Sequence, residues 1–506
     1  MEEIIKTDKK NIILILTAIS GISFWFWIGF PFYNHNESYY WVAKLQNLDF
    51  VSLLLYGLEP VTTYRPLGLL TAWISFNLGG GSIFPQQIFN YLICCISFII
   101  LLFSVENKHR LIFAILLGFI GLTTFPGYIY LFHIHGVFYS QVIFALSFFL
   151  YTYNKINFKR YNHRHYIFFF CVGLICSLFH PFSFLIYLAF IIGVLIENRK
   201  LIKLKTIILN ITLILLAIII LKILSLKTDA VFKDYILDGF YTSYKLTELN
   251  IFISISIFLM ILLGVRSINQ INKYHKQSFY IIYFILSILF IFIKIPLTFL
   301  WIAICFYKTF ILKKWVYTFL LITLSILPLS SASGTPTYII FDILFLTYLT
   351  SVNLDFSLKW PFTRLLIIYS LGILFLVILI RADIKVPLIS NIALPLLSEK
   401  EKTKQLEELL VKFNNSSFKN NRLVLWENAE LPVFTPAKAE RRFRPPTYQH
   451  YLSYYQNVCL NPKKIYQKDL YITFGGMEIA NGRKIFSVKG LYNGEASIWD
   501  TPSVDK

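Results

Sequence analysis

The chain has 506 residues, 57% of them hydrophobic and only 15% charged, with a net charge of +20 and a mean hydropathy of +0.63. A soluble protein is about 45–50% apolar, so the composition excludes an ordinary soluble enzyme and predicts an integral membrane protein. The surplus of lysine and arginine would suggest nucleic acid in a soluble chain; here it reads as charge that holds cytoplasmic loops in place, with no nucleic-acid partner.

The first apolar run, 11–30, is about 20 residues long, which suits a spanning helix and exceeds a typical signal-peptide core. No small-residue cleavage site follows it, so it reads as a retained first span. Further spans are predicted at 85–104, 111–126, 136–153, 166–179, 181–197, 206–225, 250–265, 279–293, 295–311, 315–330, 338–352 and 364–381. The expected fold is an all-α polytopic membrane protein of about thirteen transmembrane helices, followed by a small α+β C-terminal domain. The domain limits are 1–381 and 382–506.

Charge sets the orientation. With the N-terminus cytoplasmic, the inside segments carry Lys6, Lys9 and Lys10, then Lys108 and Arg110, then Lys155, Lys159, Arg160 and Arg164. Arg199, Lys200, Lys203 and Lys205 follow, then Arg266, Lys273, Lys276, Lys313, Lys314, Lys359 and Arg364. The outside connections before the tail hold only Lys44, Arg65, Lys227, Lys233, Lys245 and Lys294. This bias is the positive-inside pattern, and an odd number of spans then puts the tail outside.

Three outside pieces are large. Segment 31–84 contains "ESYYWVAKLQNLDFVSLLLYGLEP" and "YRPLGLLTAWISFNLGG", both read as amphipathic or interfacial helices with Trp41, Tyr56, Tyr64 and Trp73 as interface aromatics. Segment 226–249 mixes charge and tyrosine. In the tail, "RLVLWE" and "DLYITFGG" read as strands and "TPAKAERRFRPPTYQHYLSYY" as a loop entering a helix. The arginines and tyrosines of that loop fit carbohydrate stacking or an ordinary surface. Cys94, Cys95, Cys171, Cys176 and Cys305 fall in apolar runs, and with Cys459 they make neither a disulfide framework nor a CxxC metal site. No internal duplication between halves is visible, which weighs against many secondary-transporter folds.

The chemistry-bearing stretch is "NHNESYYW", just past the first span. Its lone acid, Glu37, fits two readings. It is a helix-start residue behind an Asn34 or Asn36 cap, or it is a carboxylate held at the water interface for catalysis, with Tyr39, Tyr40 and Trp41 offering flat faces to a sugar or prenyl chain. A multi-span chain with an acid just after its first helix, two interfacial helices in a long first outer loop and a soluble outer tail resembles the GT-C superfamily. Those enzymes transfer a sugar from a polyprenyl phosphate carrier. Asn36-Glu37-Ser38-Tyr39-Tyr40 is similar to their acidic motif of the type D-E-x-x-Y, with Asn36 in place of the first acid. Length, topology and tail most resemble the serotype-converting O-antigen glucosyltransferases of temperate phages and enteric bacteria.

That resemblance implies an inverting glycosyltransferase in the bacterial inner membrane. Its donor is a polyprenyl-phosphate sugar, with glucose as the implied sugar, and its acceptor a lipid-linked O-antigen repeat unit on the periplasmic face. The donor brings its own leaving group, so Glu37 is the expected base for the acceptor hydroxyl. No cofactor is expected, and the loss of the first acid argues against a bound metal. Arg65 is the first choice for the donor phosphate, since a guanidinium matches phosphate in a bidentate fork, although interfacial anchoring fits it as well. Lys227 and His135 are further phosphate contacts, and Tyr64 joins Tyr39, Tyr40 and Trp41 as a sugar or lipid contact. Lys227 and Lys233 also fit simple pairing with Asp229, Asp234 and Asp238. His133, His135 and His180 fit interfacial hydrogen bonding, phosphate contact or, without a visible third ligand, a metal. Asp342 and Lys222 stand in or near spans, where charge flags function. The competing classes are an O-antigen polymerase or ligase, whose paired arginines in a late outer loop are missing here, and a lipid-linked sugar flippase, which would place central charges on several helices.

Overall fold

The computed structural model describes residues 2–29, 65–79, 84–123, 131, 136–155, 163–199, 204–225, 261, 285–287, 289, 296–326 and 339–352. In the tail it describes 401, 404–405, 408–421, 423–425, 458–460, 470–473, 476, 482–490 and 494–500. The larger part is a helical bundle: α1 (Glu2–Gly29), α2 (Pro66–Leu78), α3 (Phe84–Ser104), α4 (Arg110–Thr123), α5 (Gly136–Lys155), α6 (His163–Phe179), α7 (Phe182–Glu197), α8 (Leu204–Ser225), α9 (Leu297–Ile311), α10 (Trp315–Ile326) and α11 (Ile339–Val352). Except for α2, each stands over a predicted span. Spans 250–265, 279–293 and 364–381 and the boundary at 381 lie, wholly or nearly so, outside the described residues. Lys9–Trp27 and Phe84–Ser104 have the length and apolarity of a membrane span, and the other apolar stretches are 10–17 residues.

Two elements depart from expectation. α1 begins at Glu2, well before the apolar run, because Glu and Lys are good helix formers and extension of an existing helix adds a hydrogen bond per residue fixed. α2 is not amphipathic. It buries Gly68, Leu69, Ala72, Ser75 and Phe76 on one face, yet Ile74 and Leu78 are apolar and exposed on the other.

The helices pack through a shared core that includes Phe113, Phe149, Phe169, Tyr187, Phe190, Trp301, Phe341 and Tyr348. α1 lies on α4 and α3, α3 on α5, and α7 on α10, α6 and α5. Two crossings bring backbones together. A Cβ on Gly21 would collide with the Gly118 carbonyl oxygen and the Leu122 nitrogen, and one on Gly193 with the Val316 Cα. Beside the first, the Trp25 indole Nε1 donates to the Leu122 carbonyl at 2.8 Å, satisfying an acceptor in the last turn of α4 that its own helix leaves open. Outward faces are also apolar: Ile88, Leu92 and Ile96 make an exposed stripe at helical spacing on α3, as do Ile208, Ile211 and Leu215 on α8.

The smaller part is α+β. Strands β1 (Leu423–Leu425), β2 (Val458–Leu460), β3 (Leu470–Thr473), β4 (Arg483–Lys489) and β5 (Glu495–Asp500) form one sheet in the order β2-β1-β3-β5-β4. β1 pairs parallel with β2 and β3, while β3–β5 and β4–β5 are antiparallel. Helical residues Leu409, Leu410 and Phe413 pack with Leu423, Leu470, Ile472, Ala496 and Ile498. Tyr471 and Trp499 pair across strands in a separate cluster, and the Trp499 indole donates to Thr473 Oγ1 at 2.8 Å. Gln405 Nε2 donates to the carbonyls of Val488 and Gly494, closing the β4–β5 hairpin.

The Gly21 crossing gives a direct test. Gly21→Ala should cost about 1–3 kcal/mol, the usual range for overpacking, and lower the thermal midpoint of the purified protein. Gly121→Ala, whose added Cβ would stand 3.0 Å from the Ile22 nitrogen, should cost less. Equal midpoints for Gly21→Ala and the parent would contradict the close crossing.

Candidate functional site

Of the residues singled out from sequence, the structure describes Arg65, Trp73, His180 and Asp342, and places Lys222 on α8. Glu37, Tyr39, Tyr40, Trp41, Tyr64, Lys227, His133 and His135 lie outside the described residues. So do Lys233, Asp229, Asp234 and Asp238. In sequence, Glu37 follows the end of α1, His135 immediately precedes α5, and Lys227 follows the end of α8.

Arg65 is the N-cap residue of α2, with φ −133° and ψ 72°, and Pro66 opens the helix. Proline suits that position because its missing N–H would be unsatisfied there anyway. The Arg65 carbonyl accepts the Leu69 N–H at 3.0 Å. The residue is only 9% exposed. A guanidinium so covered persists where acceptors or an anion compensate its lost hydration.

α2 packs against α3, α5 and α6, and those helices bring buried polar side chains to one level. Asn154 on α5 bonds to the Tyr348 hydroxyl, and Ser104 at the end of α3 stands beside the same hydroxyl. Since α3 and α5 pack together and both end there, they run parallel. Counting back along each at about 1.5 Å per residue brings Asn90 and Ser140 level, roughly 21 Å from the Tyr348 layer. Gln86, Gln87 and Asn90 of α3, and Ser140 and Gln141 of α5, are buried there. α7 joins them through its own start: the His180 ring lies 5.5 Å from Tyr139, and Tyr153 meets Glu197 at the far end, so α7 also runs parallel to α5.

His180 is buried and its Nδ1 accepts the Phe182 N–H at 3.2 Å. It therefore caps the start of α7, a task that fixes its ring and leaves Nε2 as the protonated nitrogen of the neutral form. Ser183, fully buried one turn on, has no hydrogen-bond partner for its hydroxyl among the described residues. Asp342 is fully buried in the first turn of α11, where the Ser325 hydroxyl donates to Oδ1 at 3.2 Å. A carboxylate there, among apolar helices, is the kind of group that marks a functional path. Among the described residues no three His, Cys, Asp or Glu side chains group as metal ligands.

A second polar cluster, at the Tyr348 end, was not foreseen. Glu197 closes α7 and accepts the Tyr153 hydroxyl at 2.8 Å on Oε2 and the Val316 N–H at 3.0 Å on Oε1. A carboxylate at the first turn of α10 meets the positive end of its dipole. Beside it, the Tyr317 hydroxyl donates to Asn154 Oδ1 at 2.7 Å, and the Asn154 amide reaches Tyr348. The partners are 119 and 163 residues apart, so no local pattern announces them. The sole signal is an acid placed directly at the end of an apolar run.

Removing this acid should therefore uncouple α7 from α10. Glu197→Ala leaves the N–H of the buried Val316 and the half-buried Tyr153 hydroxyl without their acceptor, at about 1–3 kcal/mol for a fully buried group and less for the hydroxyl. Tyr153→Phe removes one bond and should cost about 1 kcal/mol. Chemical unfolding of the two variants in parallel checks the order; a milder effect for Glu197→Ala than for Tyr153→Phe would contradict the cap.

Compared with known proteins, the chain matches no family model, no curated protein and no solved structure.

Proposed function

We propose that the chain is an inverting glycosyltransferase of the GT-C kind. It would move a sugar, glucose on the sequence resemblance, from a polyprenyl phosphate carrier to an O-antigen repeat unit at the periplasmic face of a bacterial inner membrane. The observation that carries this reading is Arg65: a buried cation at the start of α2, on a helix packed against α3, α5 and α6, in the same sequence segment as Glu37. The exposed apolar stripes of α3 and α8 support a lipid surround, since soluble proteins rarely expose contiguous apolar surface.

In this reading each group has a task. The donor's lipid tail stays in the bilayer, so the reacting carbon is confined to the interface. Glu37 takes the proton of the acceptor hydroxyl as its oxygen attacks the anomeric carbon. The carbon–oxygen bond to phosphate breaks, and the departing lipid phosphate keeps the bonding pair. Arg65 neutralises the charge that gathers there, with Lys227 and His135 as further contacts. Tyr39, Tyr40, Trp41 and Tyr64 hold sugar and prenyl faces. Attack from the side opposite the phosphate inverts the anomeric centre.

The test is the lipopolysaccharide of a host strain with and without this gene, where one added hexose per repeat unit is expected. Glu37→Gln should lower transfer by about 10²-fold or more at matched protein level, Glu37→Asp should be partly active at best, and Asp49→Asn should stay active. Arg65→Ala should raise the KM for the lipid donor, and Arg65→Lys should recover part of it, because lysine keeps the charge and loses the fork. Normal conversion by Glu37→Gln would sink the assignment. Unchanged donor kinetics in both Arg65 variants would return that residue to an anchoring role.

A further inference from the structure

The turn between α9 and α10 carries a feature that the transfer reaction does not use. Lys314 N–H bonds to the Thr309 carbonyl at 2.9 Å and Lys313 N–H to the Phe310 carbonyl at 3.0 Å. This paired pattern closes the helix with Lys313 at the left-handed position, φ 53°. Glycine takes that conformation at the lowest cost, yet the chain has lysine, and a second lysine follows. Both are exposed. Glu197, the nearby acid, feels the charge of Lys314, but one carboxylate stands against Lys313, Lys314 and Arg199, which is exposed two residues beyond it. The turn therefore carries surplus positive charge.

Directly beside these lysines runs a row of aromatic rings. Phe306 and Phe310 are stacked at 6.0 Å, Phe310 meets Trp315 edge-on at 5.5 Å, and Trp315 meets Phe319 at 6.4 Å. Phe306, Tyr307, Phe310, Ile311 and Leu312 are exposed. An apolar strip that ends in two ammonium groups is complementary to a molecule with an acyl chain and a negatively charged head. Tryptophan at such a boundary is the usual anchor, apolar along its body and polar at its N–H.

We propose that this turn binds an anionic phospholipid of the cytoplasmic leaflet, its phosphodiester between Lys313 and Lys314 and an acyl chain along Phe306, Phe310 and Trp315. The proposal rests on the membrane-embedded part of the reading above and is independent of the sugar chemistry at the other face. A zwitterionic lipid offers the same chain but cancels the head charge, so the lysines discriminate between the two.

The experiment uses the full chain in phosphatidylcholine nanodiscs containing acyl-brominated phosphatidylglycerol or acyl-brominated phosphatidylcholine. Quenching due to Trp315 is isolated by difference from Trp315→Phe. The brominated phosphatidylglycerol should quench it more strongly, since each lysine near the surface enriches an anionic lipid roughly fivefold, and added salt should narrow the gap. The double variant Lys313→Gly/Lys314→Gln should bring the two lipids level. It should also melt no lower than the parent, because glycine relieves the left-handed position. Equal quenching of the parent by both lipids, or a preference that survives in the double variant, overturns the site. No quenching of Trp315 by either lipid overturns it together with the membrane reading of α9 and α10, whereas lost sugar transfer with the lipid preference intact would touch only the function.

Discussion

Close backbone approach between helices is the constraint on which the rest of this bundle depends. Helices that approach this closely are held by dense packing and interhelical hydrogen bonds. Both are present at the same places. Gly21 meets Gly118 and Leu122, and Gly193 meets Val316. One turn further along each helix, on the same face, stands a side chain that bonds to the partner's open backbone end. Trp25 takes a carbonyl in the last turn of α4, and Glu197 takes an N–H in the first turn of α10. A larger residue at either glycine would separate the backbones and break the neighbouring bond, so the two devices act together.

Much of the buried polarity gathers at two levels, while Asp342 and Ser325 pair away from both. At the Tyr348 end, Glu197, Tyr153, Asn154, Tyr317 and Tyr348 satisfy one another. Between the levels, the buried hydroxyls of Ser97 and Ser147 fold back onto carbonyls of their own helices and so add no demand across the bundle. At the starts of α3, α5 and α7 the polar residues are numerous: Gln86, Gln87, Asn90, Gln141 and His180 are all buried. Low dielectric makes each group there count more than it would in water. A charged phosphate brought to that level would be met by fixed dipoles, which is the arrangement that electrostatic stabilisation of a leaving group calls for.

Much of the helical plan was legible in the sequence, because apolar runs bounded by lysine and arginine are a strong signal. The run at 85–104 corresponds to α3, and the ends of α7 and α9 fall where Glu197 and Lys313 interrupt apolar sequence. The smaller unit was harder. "RLVLWE" and "DLYITFGG" contain β1 and β3, but β2, β4 and β5 went unread. β5 buries Ala496 and Ile498 on one face and Ser497 and Trp499 on the other, so polar and apolar residues do not sort by face. β4 has a register shift between Lys484 and Phe486, which breaks the period of two that a strand would otherwise show. The Glu197 cluster was unreadable for a different reason, since it is built from residues on helices far apart in the chain. At the site itself, Arg65 was singled out by its chemistry, and its burial comes from the docking of α2, which no local pattern encodes.

The same interactions weigh between an enzyme and a carrier. A flippase must open its bundle alternately to each side, which requires helices to rock or slide past one another. Here the Tyr348 end ties α5 to α11 and α10 through Asn154, and α7 to α5 and α10 through Glu197. Opening that end would strip a half-buried carboxylate and several hydroxyls of their partners at once, at about 1 kcal/mol or more for each bond lost. A transferase has the opposite need. Its base and its phosphate contact must hold a fixed separation, and displacement by about 1 Å costs heavily in a positioned reaction. The ties at the Tyr348 end are of the kind that the transferase proposed above calls for.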